Sequence, residues 1–432
     1  MRATAFPEDW YAPWCRLYLG VRNHATGLTD WLARQPFLSA AHCPKLTRQA
    51  LNSALHSLAS ASPNGRQLAA AHACLHALER RYTADAQSAN VGAALKEIKV
   101  DGRRYVLLRP LRQSLRPPPD SLDRFPLSSE LATDQVLKLD FRWLELQEEA
   151  RLELKVLADL DALRDEITIR FGLAPLASSD DMDWSGDPTD ARQPDGRVPV
   201  RCCGAKKAEN LGQTLEELLR AAWEAKVHIL LLPELVVDEP LLQRCRNWLA
   251  HHNLREVRLR LVVAGSQHVA DAEGGKDFFN RSTVLGYDGE LLWQQDKCSP
   301  FVIDNPVALA ALCPSSQITK LFEPTRLGVN IVLAEAALGR LLTPICLDYI
   351  EGILWDELGA DIYLVPAMTE GLSRFKQQAN TLGGRHGAAS FVCNAQTSGE
   401  DRIVSYLPFK RAPSPHPTAS PSLFTIDARI CV

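Results

Sequence analysis

The sequence lacks the segments that mark several large classes of protein. No run approaches the roughly 20 apolar residues that a membrane-spanning helix needs. The longest apolar stretch, Val227 to Val237, is interrupted by Pro233 and Glu234. Glu8 and Asp9 stand near the start with no long apolar run beside them, so no secretory signal is expected. Neither sign of charge prevails: 48 Lys and Arg against 52 Asp and Glu leave a net −4, whereas a dedicated nucleic-acid binder needs a basic face. The 11 cysteines include no CxxC pair and no zinc-like spacing; an odd number at irregular intervals fits a reducing cytoplasm better than a disulfide framework. GxSxG, GxxxxGKS/T and GxGxxG are all missing, which argues against a serine-hydrolase elbow and against nucleotide-cradling loops. No period of 20–50 residues repeats, so a solenoid is not expected.

What is present is a chain of 432 residues, long for one core, with two differing textures. Residues 1–177 are expected to form a mainly helical domain. Apolar positions recur at helical spacing over Leu46–Leu58, through Leu68, Ala71, Cys74, Leu75 and Leu78, and as a stripe over Leu144–Ile169. Within this domain Ile98–Val100 and Tyr105–Leu108 flank Asp101–Gly102, a two-residue hairpin signal. Residues 178–197, rich in Asp, Ser, Gly and Pro, read as an acidic flexible linker, and the pair Asp180–Asp181 as solvated rather than metal-binding. From Val198 to Val432 short apolar strands alternate with helices: a helix over Leu211–Ala225, strands at Val227–Leu232, Val257–Ala264, Ile362–Val365 and Ala388–Cys393, and a hairpin around Asp288–Gly289. That alternation indicates a layered α/β domain.

Three reactive groups in this second half each follow an apolar strand. Leu230-Leu231-Leu232-Pro233-Glu234 brings a carboxylate straight out of an apolar run, where partial desolvation raises its pKa toward the range of a general base. Lys297 closes a hairpin strand just before Ser299-Pro300-Phe301. Cys346, in Pro344-Ile345-Cys346-Leu347-Asp348, stands where a strand gives way to a helix, so backbone N–H groups and a nearby cation can activate it. Each has a plainer reading alone: a helix-capping glutamate, a solvated strand-end lysine, an inert core thiol.

Taken together, the three resemble the nitrilase superfamily, the carbon–nitrogen hydrolases, over roughly Val198 to Val432. Pro233–Glu234 is similar to that family's first motif. Phe279-Asn280, Tyr287-Asp288-Gly289 and Lys297 are similar to its second, and Gly339-Arg340 with Ile345-Cys346-Leu347-Asp348 to its third. Gly359-Ala360-Asp361 with Val365-Pro366-Ala367, and Cys393-Asn394-Ala395 with Gly399, resemble its later strands. The family's second glutamate, usually close behind Pro-Phe, is not in its place: Pro300-Phe301 continues as Val302-Ile303-Asp304-Asn305, and Asp304 is the candidate stand-in.

The resemblance implies a four-layer α-β-β-α sandwich, self-association, and a small-molecule amide or nitrile as substrate, with no metal or organic cofactor. It implies Cys346 as nucleophile, Glu234 as base and Lys297 as oxyanion stabiliser, the Leu347 N–H as a second oxyanion donor. Thr369 and Glu370 are candidate substrate contacts, and Asp348 a structural partner of the site loop. Cys298, beside Lys297, is a pocket-lining candidate, and His386 offers a less favoured Cys–His alternative. A second class of function is a regulatory module in which turnover is vestigial. In a third the first half, through the basic segment Arg103, Arg104, Arg109 and Arg112, delivers the hydrolase to a protein or other macromolecular partner.

Overall fold

The computed structural model describes residues 7–25, 28, 46–59, 62–89, 96–108, 141–146, 150–163, 166, 168–185, 197–270, 278–304, 309, 320–325, 329–336, 338–351, 358–407, 416–418, 420 and 422–429. It is a mixed α/β protein with several sheets. The chain divides into two compact units; the described residues of the first lie between residue 7 and Ala150, those of the second between Arg151 and residue 429. No helix among the described residues is long and apolar enough to cross a membrane.

The first unit has helices α1 (Tyr11–Asn23), α2 (Arg48–Leu58) and α3 (Gly65–Ala89), followed by strands β1 (Lys96–Val100), β2 (Arg103–Leu108) and β3 (Arg142–Leu146) in an antiparallel sheet of that order. Thr47 caps α2, its hydroxyl accepting the Ala50 N–H at 3.1 Å. At the expected hairpin, Asp101 and Gly102 take φ of 52° and 82°, the left-handed pair that a tight two-residue turn requires. The core is aromatic: Trp14 of α1 meets Trp143 of β3 edge-on at 5.9 Å and also packs on Tyr82 and Phe141, in a cluster that includes Tyr18, Leu75 and Tyr105. Arg103 pairs with Glu145 and Arg104 with Glu97, so these two arginines of the basic segment are already engaged within the sheet. Arg109 and Arg112 lie outside the described residues.

The helix expected over Leu144–Ile169 does not form. That stretch instead contributes the end of β3, the strand β4 (Ala150–Val156), a 3-10 turn at Ala158–Leu163 and the start of β5 (Thr168–Leu173). Leu152, Leu154 and Val156 alternate with Glu153 and Lys155, so the same residues satisfy a period of two, and strand pairing decides between the two readings. Both β4 and β5 join the sheets of the second unit, ahead of residue 177, where the first domain was expected to end. The expected linker is also partly folded. Asp181 accepts the Ser178 N–H and hydroxyl, and β6 (Met182–Ser185) pairs with a later strand; residues 186–196 lie outside the described set.

The second unit continues with β7 (Val198–Pro199), β8 (Arg201–Ala205), α4 (Ala208–Glu224), β9 (Ile229–Leu231), α5 (Glu239–His252), β10 (Leu261–Ala270), β11 (Phe278–Gly286) and β12 (Leu291–Asp296). There follow β13 (Val302–Ile303), β14 (Leu321–Phe322), β15 (Val329–Ala336), β16 (Gly339–Leu342), α6 (Leu347–Glu351), β17 (Ile362–Ala367), α7 (Ser373–His386), β18 (Ala389–Asn394), β19 (Ile403–Tyr406), β20 (His416–Pro417) and β21 (Phe424–Arg429). One sheet runs β12-β11-β10-β9-β5-β21-β20 and a second β19-β18-β17-β16-β15-β4.

Side-chain alternation explains how the sheets pack. Ile229 and Leu231, with Leu261 and Val263, enter a core shared with Ile362, Leu364 and Phe391 of the second sheet; Phe171 and Phe391 stack at 4.0 Å. Leu230 and Leu232, with Val262 and Ala264, enter another core against Leu215, Leu218 and Leu219 of α4 and Leu241, Cys245 and Trp248 of α5. The strand β9 is thus apolar on both faces because both are buried. On the second sheet, Tyr363 lies edge-on to Tyr349 of α6, which stacks on Phe375 of α7.

The strand β10 carries a bulge. Its pairing with β11 shifts between Val263 and Ser266, and Gly265 there has φ of 66°. A Cβ on Gly265 would stand 2.1 Å from the Pro233 carbonyl oxygen. Gly265→Ala should therefore cost at least about 2 kcal/mol of unfolding free energy in urea titrations, from left-handed strain plus a backbone shift. A loss within experimental error would show that the bulge relaxes freely.

Candidate active site

The site is built at strand ends. Pro233 has no N–H and closes the β9 ladder, so Glu234 leaves the sheet at once; its own N–H reaches the Ala367 carbonyl at the end of β17. The bulge at Gly265 then lets β10, β11 and the segment after β12 present His268, Asn280 and Lys297 side by side. His268 is the register partner of Asn280, and the Lys297 N–H bonds the Asn280 carbonyl at 2.9 Å. Cys346 follows β16, its N–H bonded to the Pro366 carbonyl at 2.9 Å.

Of the non-glycine residues with positive φ among those described, two are at this site: Cys346 at 46° and Leu235, next to Glu234, at 60°. Such conformations cost about 1–3 kcal/mol each and persist where surroundings hold them, most often at active sites. Leu235 is held by donating its N–H to the Ser266 hydroxyl at 3.1 Å.

The charged groups form one buried cluster. Lys297 Nζ donates to Glu234 Oε1 at 2.8 Å and to Glu323 Oε2. Asn280 Nδ2 donates to Glu234 Oε1 at 2.9 Å and Glu323 Oε1 at 2.7 Å. His268 Nε2 lies 3.0 Å from Glu323 Oε1. The Cys346 thiol lies against the Glu234 carboxylate and donates to the Met368 carbonyl oxygen at 3.9 Å.

These contacts drive the two carboxylates apart. Burial, reinforced by the charge of Glu323, pushes Glu234 above the ordinary carboxylate range against the pull of Lys297. Burial would do the same to Glu323, but Lys297 and His268 together outweigh it and hold Glu323 at about 2. Burial alone would depress Lys297; Glu234 and Glu323 outweigh it and keep the ammonium protonated. Burial and then Glu234 push the Cys346 thiol well up, with Lys297 opposing. The resting arrangement is thus a neutral thiol beside a carboxylate that takes up protons readily, with an ammonium fixed between that carboxylate and a permanently ionised one.

The expected site residues fare differently. Glu234, Lys297 and Cys346 come together. Leu347 is the first residue of α6, so its N–H has no acceptor within that helix. Thr369 is half-buried, its N–H held by Asn394 Oδ1 at 2.9 Å, and Glu370 is exposed. Asp304 is exposed, and the second carboxylate on Lys297 is Glu323. The reason is topological: β14 pairs antiparallel with β13, and the Glu323 N–H bonds the Phe301 carbonyl at 2.8 Å, which brings Glu323 back beside Pro300-Phe301. Asp348 accepts the N–H groups of Cys298 and Ser299, tying the segment after Lys297 to the start of α6; burial raises it to about 6 although those N–H groups oppose the shift. Cys298 is half-buried, its thiol pushed far up by burial, and the side chain of His386 is outside the described set.

Sequence reading missed Glu323 and His268. For Glu323 a signal existed: Leu321-Phe322-Glu323-Pro324 repeats the pattern of an apolar pair, a glutamate and an adjoining proline seen at Leu231–Glu234. His268 carries no such mark. Among the described residues, no group of three or more His, Cys, Asp or Glu is arranged to hold a metal ion.

No protein-family model matches this chain, and no curated protein does. Solved structures are similar to part of it. An amidase from Nesterenkonia sp. is 13% identical, covering 60% of this chain and 90% of its own, with a TM-score of 0.40. Nit3 of Saccharomyces cerevisiae, a member of branch 10 of the nitrilase superfamily, is 13% identical over 61% and 90%, with a TM-score of 0.38. A variant of the Nesterenkonia amidase bearing the acetamide moiety of fluoroacetamide on its active-site cysteine is 16% identical over 60% and 90%, also at 0.38. These proteins come from the superfamily that the sequence motifs resemble; at such TM-scores the likeness assigns no role to any residue here.

Proposed function

We propose that the second unit is a nitrilase-type hydrolase that cleaves a non-peptide C–N bond, of a small linear amide in the first instance, through a thioester on Cys346. The observation that carries this reading is the cluster itself: a thiol on a strained turn beside a buried carboxylate, with a lysine ammonium hydrogen-bonded to that carboxylate. In the proposed cycle Glu234 accepts the thiol proton as sulfur bonds to the amide carbon. Lys297, with the Leu347 N–H, stabilises the oxygen as it gains charge. The C–N bond then breaks as Glu234 returns the proton to the leaving amine. Water attacks the thioester with Glu234 taking its proton; the C–S bond breaks and the thiolate is reprotonated, releasing the acid. Nitrile, carbamoyl or acyl-transfer chemistry would use the same three groups.

The packing of two sheets face to face, with α4 and α5 on one side and α6 and α7 on the other, supports reading this unit as the four-layer sandwich that the motifs imply. Self-association of this unit and recruitment of a protein partner by the first unit belong to the same proposal.

The test is intact-mass analysis of the protein and of Cys346→Ala after incubation with a panel of amides, nitriles and carbamoyl compounds. We expect an adduct, and release of ammonia or amine, that Cys346→Ala abolishes; the added mass names the acyl group. A folded protein that forms no adduct and releases no amine would favour a regulatory module with vestigial turnover.

A further inference from the structure

We propose that His268 is a positioning residue that decides which of the two buried carboxylates receives the Cys346 proton. Asn280 and Lys297 cannot make that choice, because each donates to both Glu234 and Glu323. His268 donates to Glu323, while the carboxylate beside the thiol is Glu234. The asymmetry of the pair therefore comes from the imidazole on one side and the thiol on the other.

The ring's tautomer is set by its surroundings. Nδ1 accepts the Cys202 N–H at 2.8 Å, so this nitrogen carries no proton and the ring N–H is on Nε2, facing Glu323 Oε1 at 3.0 Å. A charged imidazolium would set its Nδ1–H against the Cys202 N–H, donor against donor. The His268 side chain is 1% exposed, so water cannot relieve that clash. The Cys202 N–H thus fixes the ring so that Nε2 is the nitrogen that donates to Glu323.

The backbone that holds the ring is tied to the site twice over. Cys202 of β8 donates its N–H to His268, and its thiol meets the Leu235 carbonyl oxygen beside Glu234 at 3.4 Å. Phe278 of β11 packs on the imidazole at 5.1 Å, and the Arg201 guanidinium lies over that Phe278 ring at 5.6 Å. The ionisable groups around His268 are thus Cys202 and Arg201 from β8, Glu323 after β14, and, through Glu323, Lys297, Glu234 and Cys346. With three donors on Glu323, a proton leaving Cys346 goes to Glu234, and Glu323 remains the anion that keeps Lys297 charged.

This inference rests on Cys346 being the nucleophile, but its test does not use a substrate. Protein labelled with 13C at the glutamate carboxyl carbons would be titrated by NMR, with Glu234→Gln and Glu323→Gln samples assigning the two signals. Three variants are compared. His268→Gln can put an amide nitrogen where Nε2 stood and keep the bond to Glu323. His268→Asn reaches only the Nδ1 position, keeping the acceptor for Cys202 while dropping the bond to Glu323. His268→Leu drops both. In the parent and the Gln variant the two midpoints should stay equally far apart. In the Asn and Leu variants the Glu323 midpoint should rise by about 1–2 pH units, narrowing the gap. An unchanged gap in folded Asn variant, or a Gln variant shifted as far as Asn, would overturn the proposal. Absence of a Cys346 adduct in the mass experiment would instead overturn the nucleophile while leaving the His268 result readable.

Discussion

Glu234→Gln is expected to lower turnover by about 10²–10⁴-fold, the usual contribution of a positioned general base, while leaving the protein folded. Its stability should rise above that of the parent at neutral and alkaline pH. Burial and the neighbouring Glu323 raise the Glu234 pKa in the folded state above its ordinary value of 4.5. In the window between those two values the folded protein binds more protons than the unfolded chain, so stability falls as pH rises through it, and the cost persists above it. Glutamine does not ionise and escapes that cost. Urea unfolding at several pH values should therefore show the variant's advantage shrinking as pH falls below the ordinary carboxylate range. Turnover within an order of magnitude of the parent would remove Glu234 from the base role.

Lys297→Met should do the opposite to stability and also end catalysis. The ammonium is buried between Glu234 and Glu323, and its charge is what holds both carboxylates in place. Removing this shared cation leaves two buried carboxylates without a counter-charge, which costs about 3–5 kcal/mol, whereas Glu234→Gln leaves Lys297 still paired with Glu323. The pH dependence should identify the cause. In the parent, Glu323 is held at about 2 against an ordinary 4.5, so it contributes stability above the ordinary value and loses it as pH falls toward 2. Without the lysine that contribution disappears, and the deficit relative to the parent should be largest near neutral pH and shrink in acid. A deficit under about 1 kcal/mol at neutral pH would mean the cluster is solvated enough to relax, as exposed pairs do.

The residues that sequence reading found share one property: their local context is itself unusual. A glutamate directly after Leu230–Leu232 and Pro233, a lysine closing the hairpin turned at Asp288–Gly289, and a cysteine between a strand and a helix are visible within a few residues. The hairpin at Asp101–Gly102 was legible for the same reason, since only a left-handed pair makes that turn. Leu144–Ile169 misled because its leucines fit a period of 3.6 and of two alike, and nothing local breaks the tie. The strand form prevailed where β4 found an edge to pair with, on β15.

The sequence by itself therefore determined the alternating α/β texture of the second half and the three groups of its proposed chemistry. Only the tertiary structure decided that Glu323 rather than Asp304 is the second carboxylate on Lys297, and that His268 stands behind it. Glu323 lies 26 residues from Lys297 and His268 lies 55 from Glu323, distances that β13–β14 pairing and the bulge at Gly265 close. A carboxylate and an imidazole acquire their roles from the donors and charges around them in a buried site, and those neighbours are set by strand register, which no short stretch of sequence contains.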